Sequence, residues 1–256
     1  MVRIISIVNQ KGGSGKTTTT VNLGATLAEK GKKILLIDLD PQSSTSLWYG
    51  YKDQGKAILD ALTTNKRIED TVVQTNVKGV DIICSSPVLS NIEKILINNP
   101  KSELVLRNKL NNCEKEWDYI LIDCPPTLGV LVLNALSTAK EVLVPVVTHV
   151  MALHGLVQLM KTINHIKERV NKDLEITGIL PCRVDFRTRH SHEVIQQLRK
   201  RFDKKVYKSI IRENIKLAEA PLYKKPIIHY EKNCHGSYDY RALATELIKQ
   251  EKLYNL

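Results

Sequence analysis

The sequence predicts a three-layer α/β fold, a mostly parallel twisted sheet with helices on both faces, and three observations carry that prediction. Apolar runs of strand length alternate with segments of helical periodicity along the chain. A glycine-rich phosphate-binding loop lies between the first such run and the first helix. Two further signals, at residues 38–42 and 123–129, each follow a strand directly. In open parallel sheets ligands sit at the carboxyl ends of strands, so the three signals can converge on one nucleotide.

Strands are predicted at 4–8, 33–37, 80–84, 119–122, 141–147 and 176–180, and helices at 17–30, 89–97, 102–116, 152–171, 191–202 and 238–252. The first strand leads into Asn9-Gln10-Lys11-Gly12-Gly13-Ser14-Gly15-Lys16-Thr17-Thr18. The glycines let the backbone turn its N–H groups toward a phosphate, and the helix that follows offers its positive end. Lys16 and Thr17 stand where a β/γ-phosphate and a magnesium ion need them. The loop departs from the general motif, which has glycine where Gln10 stands, and it opens on an additional lysine, Lys11. A lysine at the mouth of such a loop can point away from its own phosphates and supply charge to those of a facing copy; otherwise it is a solvated loop residue.

The second strand is followed by Asp38-Leu39-Asp40-Pro41-Gln42. Asp40 before Pro41 is good helix-start chemistry. Two carboxylates at a strand end equally suit magnesium, with Asp38 at the metal, and an attacking water that Asp40 orients or deprotonates. The strand at 119–122 ends on Asp123, the expected place for a carboxylate that orients magnesium through water. The prolines and glycine of 125–129 then form a loop near the γ-phosphate, able to report its presence.

The 256 residues suffice for one α/β domain, with no linker-like stretch and no separate DNA-binding module. Thirty-eight Lys+Arg against 27 Asp+Glu leave a formal charge of +11, which favours polyanionic partners. The basic residues thicken in the C-terminal third, where Arg187, Arg189 and Lys216 are candidates for phosphate contacts with duplex DNA, made without sequence preference. No run of about eighteen apolar residues and no cleavable leader are read, so a cytoplasmic protein is expected. The five cysteines are scattered without a Cys-x-x-Cys pair, and His190 and His192 lack further ligands at metal-site spacing.

Together, the run 11–18, the segment 38–42, the strand-end Asp123-Cys124-Pro125-Pro126 and the stretch 214–221 resemble the ParA/Soj family of partition ATPases over essentially the whole chain. That family belongs to the deviant Walker A group of P-loop ATPases, with MinD, the nitrogenase iron protein and the arsenical and tail-anchored-protein ATPases. The resemblance implies ATP and Mg2+ as cofactors and an ATP sandwich homodimer in which Lys11 reaches the partner subunit's nucleotide. It assigns Lys16 to the phosphates, Thr17 to the metal, Asp40 to hydrolysis and Asp123 to the metal's water. Ser14 stands where many members have valine, and Arg212 and Glu213 where relatives often have Pro-Arg, near the base-binding edge. Arg187 and Lys216 match positions of DNA-contacting arginines. No basic amphipathic helix of the MinD anchor type is read, so no membrane anchor is expected.

The function implied is ATP-driven segregation of a chromosome or plasmid: the ATP-bound dimer holds non-specific DNA on the nucleoid, and a ParB-type centromere-binding partner stimulates hydrolysis and release. A ParA-like ATPase that positions a non-DNA cargo at a membrane or cell-pole partner shares the same nucleotide site. A biosynthetic P-loop enzyme activating a small carboxylate is the third class, against which Lys11 and the Asp-Pro-Gln segment argue.

Overall fold

The computed structural model describes residues 2–51, 58–96, 99–148 and 152–251. Its seven strands are β1 (Arg3–Ile7), β2 (Ile34–Asp38), β3 (Val73–Gln74), β4 (Val80–Ile83), β5 (Tyr119–Asp123), β6 (Glu141–Val147) and β7 (Glu175–Cys182). They form one sheet in the order β3-β4-β2-β5-β1-β6-β7, parallel throughout except for the antiparallel edge strand β3. The helices are α1 (Lys16–Glu29), α2 (Ser44–Trp48), α3 (Ile58–Thr63), α4 (Ile92–Leu96), α5 (Val105–Asn111), α6 (Val130–Thr138), α7 (Ala152–Arg169), α8 (Arg189–Phe202), α9 (Ile215–Glu219), α10 (Ile227–Tyr230) and α11 (His235–Glu251).

Successive residues of the central strands alternate between two cores. Ile34 and Leu36 of β2 and Tyr119 and Leu121 of β5 pack with α1, α10 and α11, whereas Leu35, Ile37, Ile120 and Ile122 pack with α3 to α8. A strand covered on both faces has no polar side to show, which is why these runs read as continuously apolar. Helix α1 lies close against β2: a Cβ on Gly24 would come 2.8 Å from Leu36 Cδ2. Glycine at that position lets the helix reach the sheet, and so fixes where its N-terminal end points.

The strand expected at 141–147 has those bounds, β3 was not expected, and the other strands differ by one or two residues at their ends; two of these differences matter, since Asp38 and Asp123 are the last residues of β2 and β5. Helix α6 was not anticipated, because Asn134, Ser137 and Thr138 are buried with its apolar residues and leave no polar stripe. The helix expected over 102–116 is a 3-10 turn at Ser102–Leu104 followed by α5, which stops at Asn111. That expected over 89–97 begins as a 3-10 turn at Pro87–Asn91 and continues as α4; positions 97 and 252, at the ends of two expected helices, lie outside the described residues.

Where β1 and β6 begin, at the opposite end of the strands from the phosphate loop, Arg3 and Glu141 form a buried two-pronged ion pair, Nε to Oε1 at 2.7 Å and Nη2 to Oε2 at 2.6 Å. Arg3 Nη1 also donates to the carbonyl of Leu247 at 2.8 Å, so β1, β6 and α11 are held at one point. Glu141→Ala would strand a buried guanidinium and is expected to cost about 3–5 kcal/mol in urea denaturation, without changing the nucleotide affinity of the folded protein.

Candidate nucleotide site

Because β5 is inserted between β1 and β2, Asp123 stands in register with Ile7 on one side and Asp38 on the other. In-register residues of neighbouring parallel strands point to the same face, so the two carboxylates share one fully buried position beneath the loop that follows β1. That loop turns through Gly13 and Gly15, both at positive φ (69° and 94°), and Gly15 delivers the chain into α1. The back of Gly15 faces Cys182 at the end of β7. The first turn of α1 carries no acidic residue, which leaves its positive end available to an anion.

Asp123 Oδ2 accepts hydrogen bonds from the hydroxyls of Thr17, at 2.8 Å, and Thr45, at 2.7 Å. Its Oδ1 is buried with no partner. A buried carboxylate oxygen without a partner is rare and marks a place for something else, here beside a threonine hydroxyl and the buried Lys16. Such a donor set, hard oxygens next to a phosphate loop, fits a magnesium ion and its water.

Asp38, expected at the metal, is placed differently. Its Oδ1 accepts from the backbone N–H of Asp40 at 3.1 Å, and its Oδ2 from the N–H and hydroxyl of Ser46 at 2.9 and 2.7 Å. Both oxygens therefore anchor the 40–46 turn and α2. Ser46 Oγ in turn accepts from the N–H of Ser85, which ties that turn to the end of β4. Asp40 Oδ1 accepts from the N–H of Gln42 at 3.0 Å, forming a side-chain turn, and α2 begins only at Ser44. The helix start read at Asp40-Pro41 is thus a tight turn ahead of the helix. Pro41 and the 125–129 loop, through Pro125, Thr127 and Gly129, line one cavity of about 220 Å³, so the loops after β2 and β5 face each other.

Burial pushes both carboxyls above the usual range, and the negative charge of Asp123 pushes Asp38 further. Hydrogen bonds from Ser46 and Asp40 pull Asp38 back down, and those from Thr45 and Thr17, with the charge of Lys16, do the same for Asp123. Lys11 is exposed at the mouth of the loop, whereas Lys16 is buried at its base. The two lysines thus occupy opposite environments within six residues of chain.

Comparison with known proteins agrees with this geometry. Residues 2–176 match the AAA domain family AAA_31. The sporulation initiation inhibitor protein Soj of Bacillus subtilis is 41% identical over 249 residues, 96% of this chain and 98% of Soj. The chromosome partitioning protein ParA of Myxococcus xanthus is 40% identical over 251 residues, 97% of this chain and 89% of that protein. The chain belongs to the ParA/Soj family of partition ATPases. Among solved structures, cobyrinic acid a,c-diamide synthase from Mycobacterium smegmatis, with bound ADP and magnesium, superposes with a TM-score of 0.86 at 30% identity, over 98% of this chain and 96% of that one.

Family membership makes this a P-loop ATPase, and the nucleotide motifs converge as that requires. The basic residues expected at DNA lie outside the buried cluster. Arg187 is exposed and paired with Asp185 at 2.8 Å, Arg189 with Glu193 at 2.9 Å, and Lys216 with Glu219 at 2.9 Å. Surface pairs of this kind are weak and exchange readily for phosphate. Arg212 grips the carboxylate of Asp239 with its guanidinium, through Nη2 at 2.6 Å and Nε at 3.1 Å. Thr45 and Ser46 carry no expectation from the sequence. Their signal is a pair of hydroxyls spaced to follow a strand-end carboxylate.

For the protein free of nucleotide and magnesium, the raised carboxyls set the sign of a pH effect. From the ordinary carboxylate value of 3.8 up to the raised value of Asp38, about 8, the folded state retains a proton that the unfolded chain has released. Stability therefore falls as pH rises through that window. Thermal denaturation in chelator between pH about 5 and about 8 checks this, with Asp38→Asn expected to flatten the fall.

Proposed function

We propose that this ATPase segregates DNA: ATP pairs two subunits, the pair holds duplex DNA without sequence preference, and a ParB-type partner stimulates hydrolysis and release. One observation carries the reading. A second lysine, Lys11, stands exposed at the mouth of a loop whose other lysine, Lys16, is buried. Charge held outward from a complete site is of use to a facing copy, as a finger residue supplied in trans. The names of the family relatives, chromosome partitioning protein and Soj, support the biological assignment.

In this reading Lys16 and the loop N–H groups bind the triphosphate. Thr17 and Asp123 would hold magnesium, whose contribution is to neutralise charge on the phosphates. Asp40, with one oxygen fixed on Gln42, orients the attacking water and takes its proton. Asp38 organises rather than ligates, because its oxygens hold α2 and Thr45 close to Asp123. The facing loops at Pro41 and 125–129 respond to loss of the γ-phosphate. A formal charge of +11 supports DNA as the cargo, with Arg187, Arg189 and Lys216 exchanging their surface carboxylates for backbone phosphates. One domain carries both activities, and the protein works in the cytoplasm on the nucleoid. No helix among the described residues is long and apolar enough to cross a membrane.

A second reading has an observation of its own, since the Mycobacterium smegmatis protein is named for a biosynthetic reaction. It predicts turnover that depends on a small carboxylate and ignores DNA. Filter retention of duplex DNA with ATP, ADP and a non-hydrolysable analogue separates the readings. Retention is expected only with triphosphate, falling about tenfold or more between about 50 and about 200 mM salt, and weakened alike for all sequences by Arg187→Ala or Lys216→Ala. Absence of retention at low salt would overturn the DNA assignment. In parallel, Lys16→Ala is expected to abolish ATP binding. Lys11→Ala should keep binding but lose hydrolysis by about 10²–10³-fold, measured by phosphate release.

A further inference from the structure

Asn9 is the residue at which the chain leaves β1 and begins the phosphate loop, and its side chain makes two hydrogen bonds in opposite directions. Oδ1 accepts from the backbone N–H of Lys11 at 3.0 Å, and Nδ2 donates to the carbonyl of Pro145 on β6 at 2.6 Å. One partner is an N–H and the other a carbonyl, so only one orientation of the amide satisfies both.

The two bonds do different work. The N–H of Val8 donates to the carbonyl of Leu143, the last backbone rung between the β1 end and β6. Pro145 lies two residues further along β6, so its carbonyl faces the same side, beyond the end of β1. The amide of Asn9 takes that next rung with a side chain, while its own backbone turns away into the loop. The bond to Lys11 N–H closes a side-chain turn over residues 9–11, which sets the direction in which the chain carries the exposed Lys11. Asparagine combines the length to reach the N–H two residues on with a donor for β6. Aspartate has the acceptor without the donor, serine supplies a weaker turn without the tether, and alanine supplies neither.

We propose that Asn9 is the positioning residue for Lys11: its amide ties the loop mouth to β6 and thereby sets where the exposed lysine stands when two subunits meet. The assignment rests on the reading that Lys11 acts across the pair. Lys16 is carried by α1, whose register on the sheet is set by its own packing, so Asn9 governs the outward lysine and not the inward one.

The test is a double-mutant cycle in ATP hydrolysis, with ATP affinity and thermal stability measured alongside. Asn9→Ala is expected to lower kcat about tenfold at unchanged KM for ATP, the scale of one lost positioning hydrogen bond. Asn9→Ser, which keeps an acceptor for the Lys11 N–H, should recover part of that loss, whereas Asn9→Asp, which sets a carboxylate oxygen against the Pro145 carbonyl, should recover less. In a Lys11→Ala background, Asn9→Ala should change nothing further. An equal fall in kcat whether or not Lys11 is present would overturn the assignment, as would a rise in KM with kcat intact. If Asn9→Ala fails to fold, the serine and aspartate variants carry the same cycle. A Lys11→Ala protein with full activity would overturn the in-trans reading and the role of Asn9 together. A damaged Lys11→Ala protein with an additive Asn9 effect would overturn the role of Asn9 alone.

Discussion

Everything at the nucleotide end of this molecule depends on β5 lying between β1 and β2. That single topological choice puts Asp123 in register with the last residue of β1 and the last residue of β2. The cost is two carboxylates buried at one level of the sheet, and the surrounding residues are arranged to meet it. Ser46 and the Asp40 N–H satisfy Asp38; Thr17 and Thr45 satisfy one oxygen of Asp123. The oxygen left over, Asp123 Oδ1, is the one part of the cluster that the protein itself does not satisfy. Short helix α2 exists to serve this arrangement, since two of its five residues, Thr45 and Ser46, bond the two aspartates.

Above that cluster the loop separates two lysines by environment. Lys16 enters at the start of α1 and is buried against the sheet end, whereas Lys11 precedes the glycine turn and faces outward. A lysine ammonium is a compact charge on a flexible stem, so its usefulness depends on what holds its backbone. The Asn9 amide provides that hold from β6, on the opposite side of β1 from the aspartates. The loop mouth and the metal pocket are thus supported by different strands, and a change at one need not disturb the other.

Much of this was legible in the sequence, and the parts that were not share a physical cause. The alternation of apolar runs with helical segments gave the layers and the sheet. The glycine-rich loop, Asp38, Asp40 and Asp123 were recognisable because each follows a strand and each residue type has few other reasons to be there. Roles within the cluster were not legible, because they depend on strand order: nothing in the chain between 38 and 123 says that β5 will fall beside β2. Hence the bonds that tie Asp38 to Ser46 and Asp123 to Thr45 have no counterpart in the local sequence. Helix α6 was missed because its polar residues are buried, and the hold of Asp239 on Arg212 spans 27 residues of sequence. Pairings of that range leave no local signature.

The central claim is that Lys11 serves the phosphates of the neighbouring subunit, and mixing two inactive proteins tests it most directly. Lys11→Ala subunits bind ATP but lack the outward lysine; Lys16→Ala subunits carry Lys11 but cannot bind ATP. A mixed pair holds one complete site, with the nucleotide in one subunit and Lys11 from the other. Hydrolysis in an equimolar mixture is expected to rise well above that of either protein alone, with about a quarter of the wild-type rate as the ceiling, reached when pairs form at random and each mixed pair has one of two sites. A mixture as inactive as its components would contradict the account.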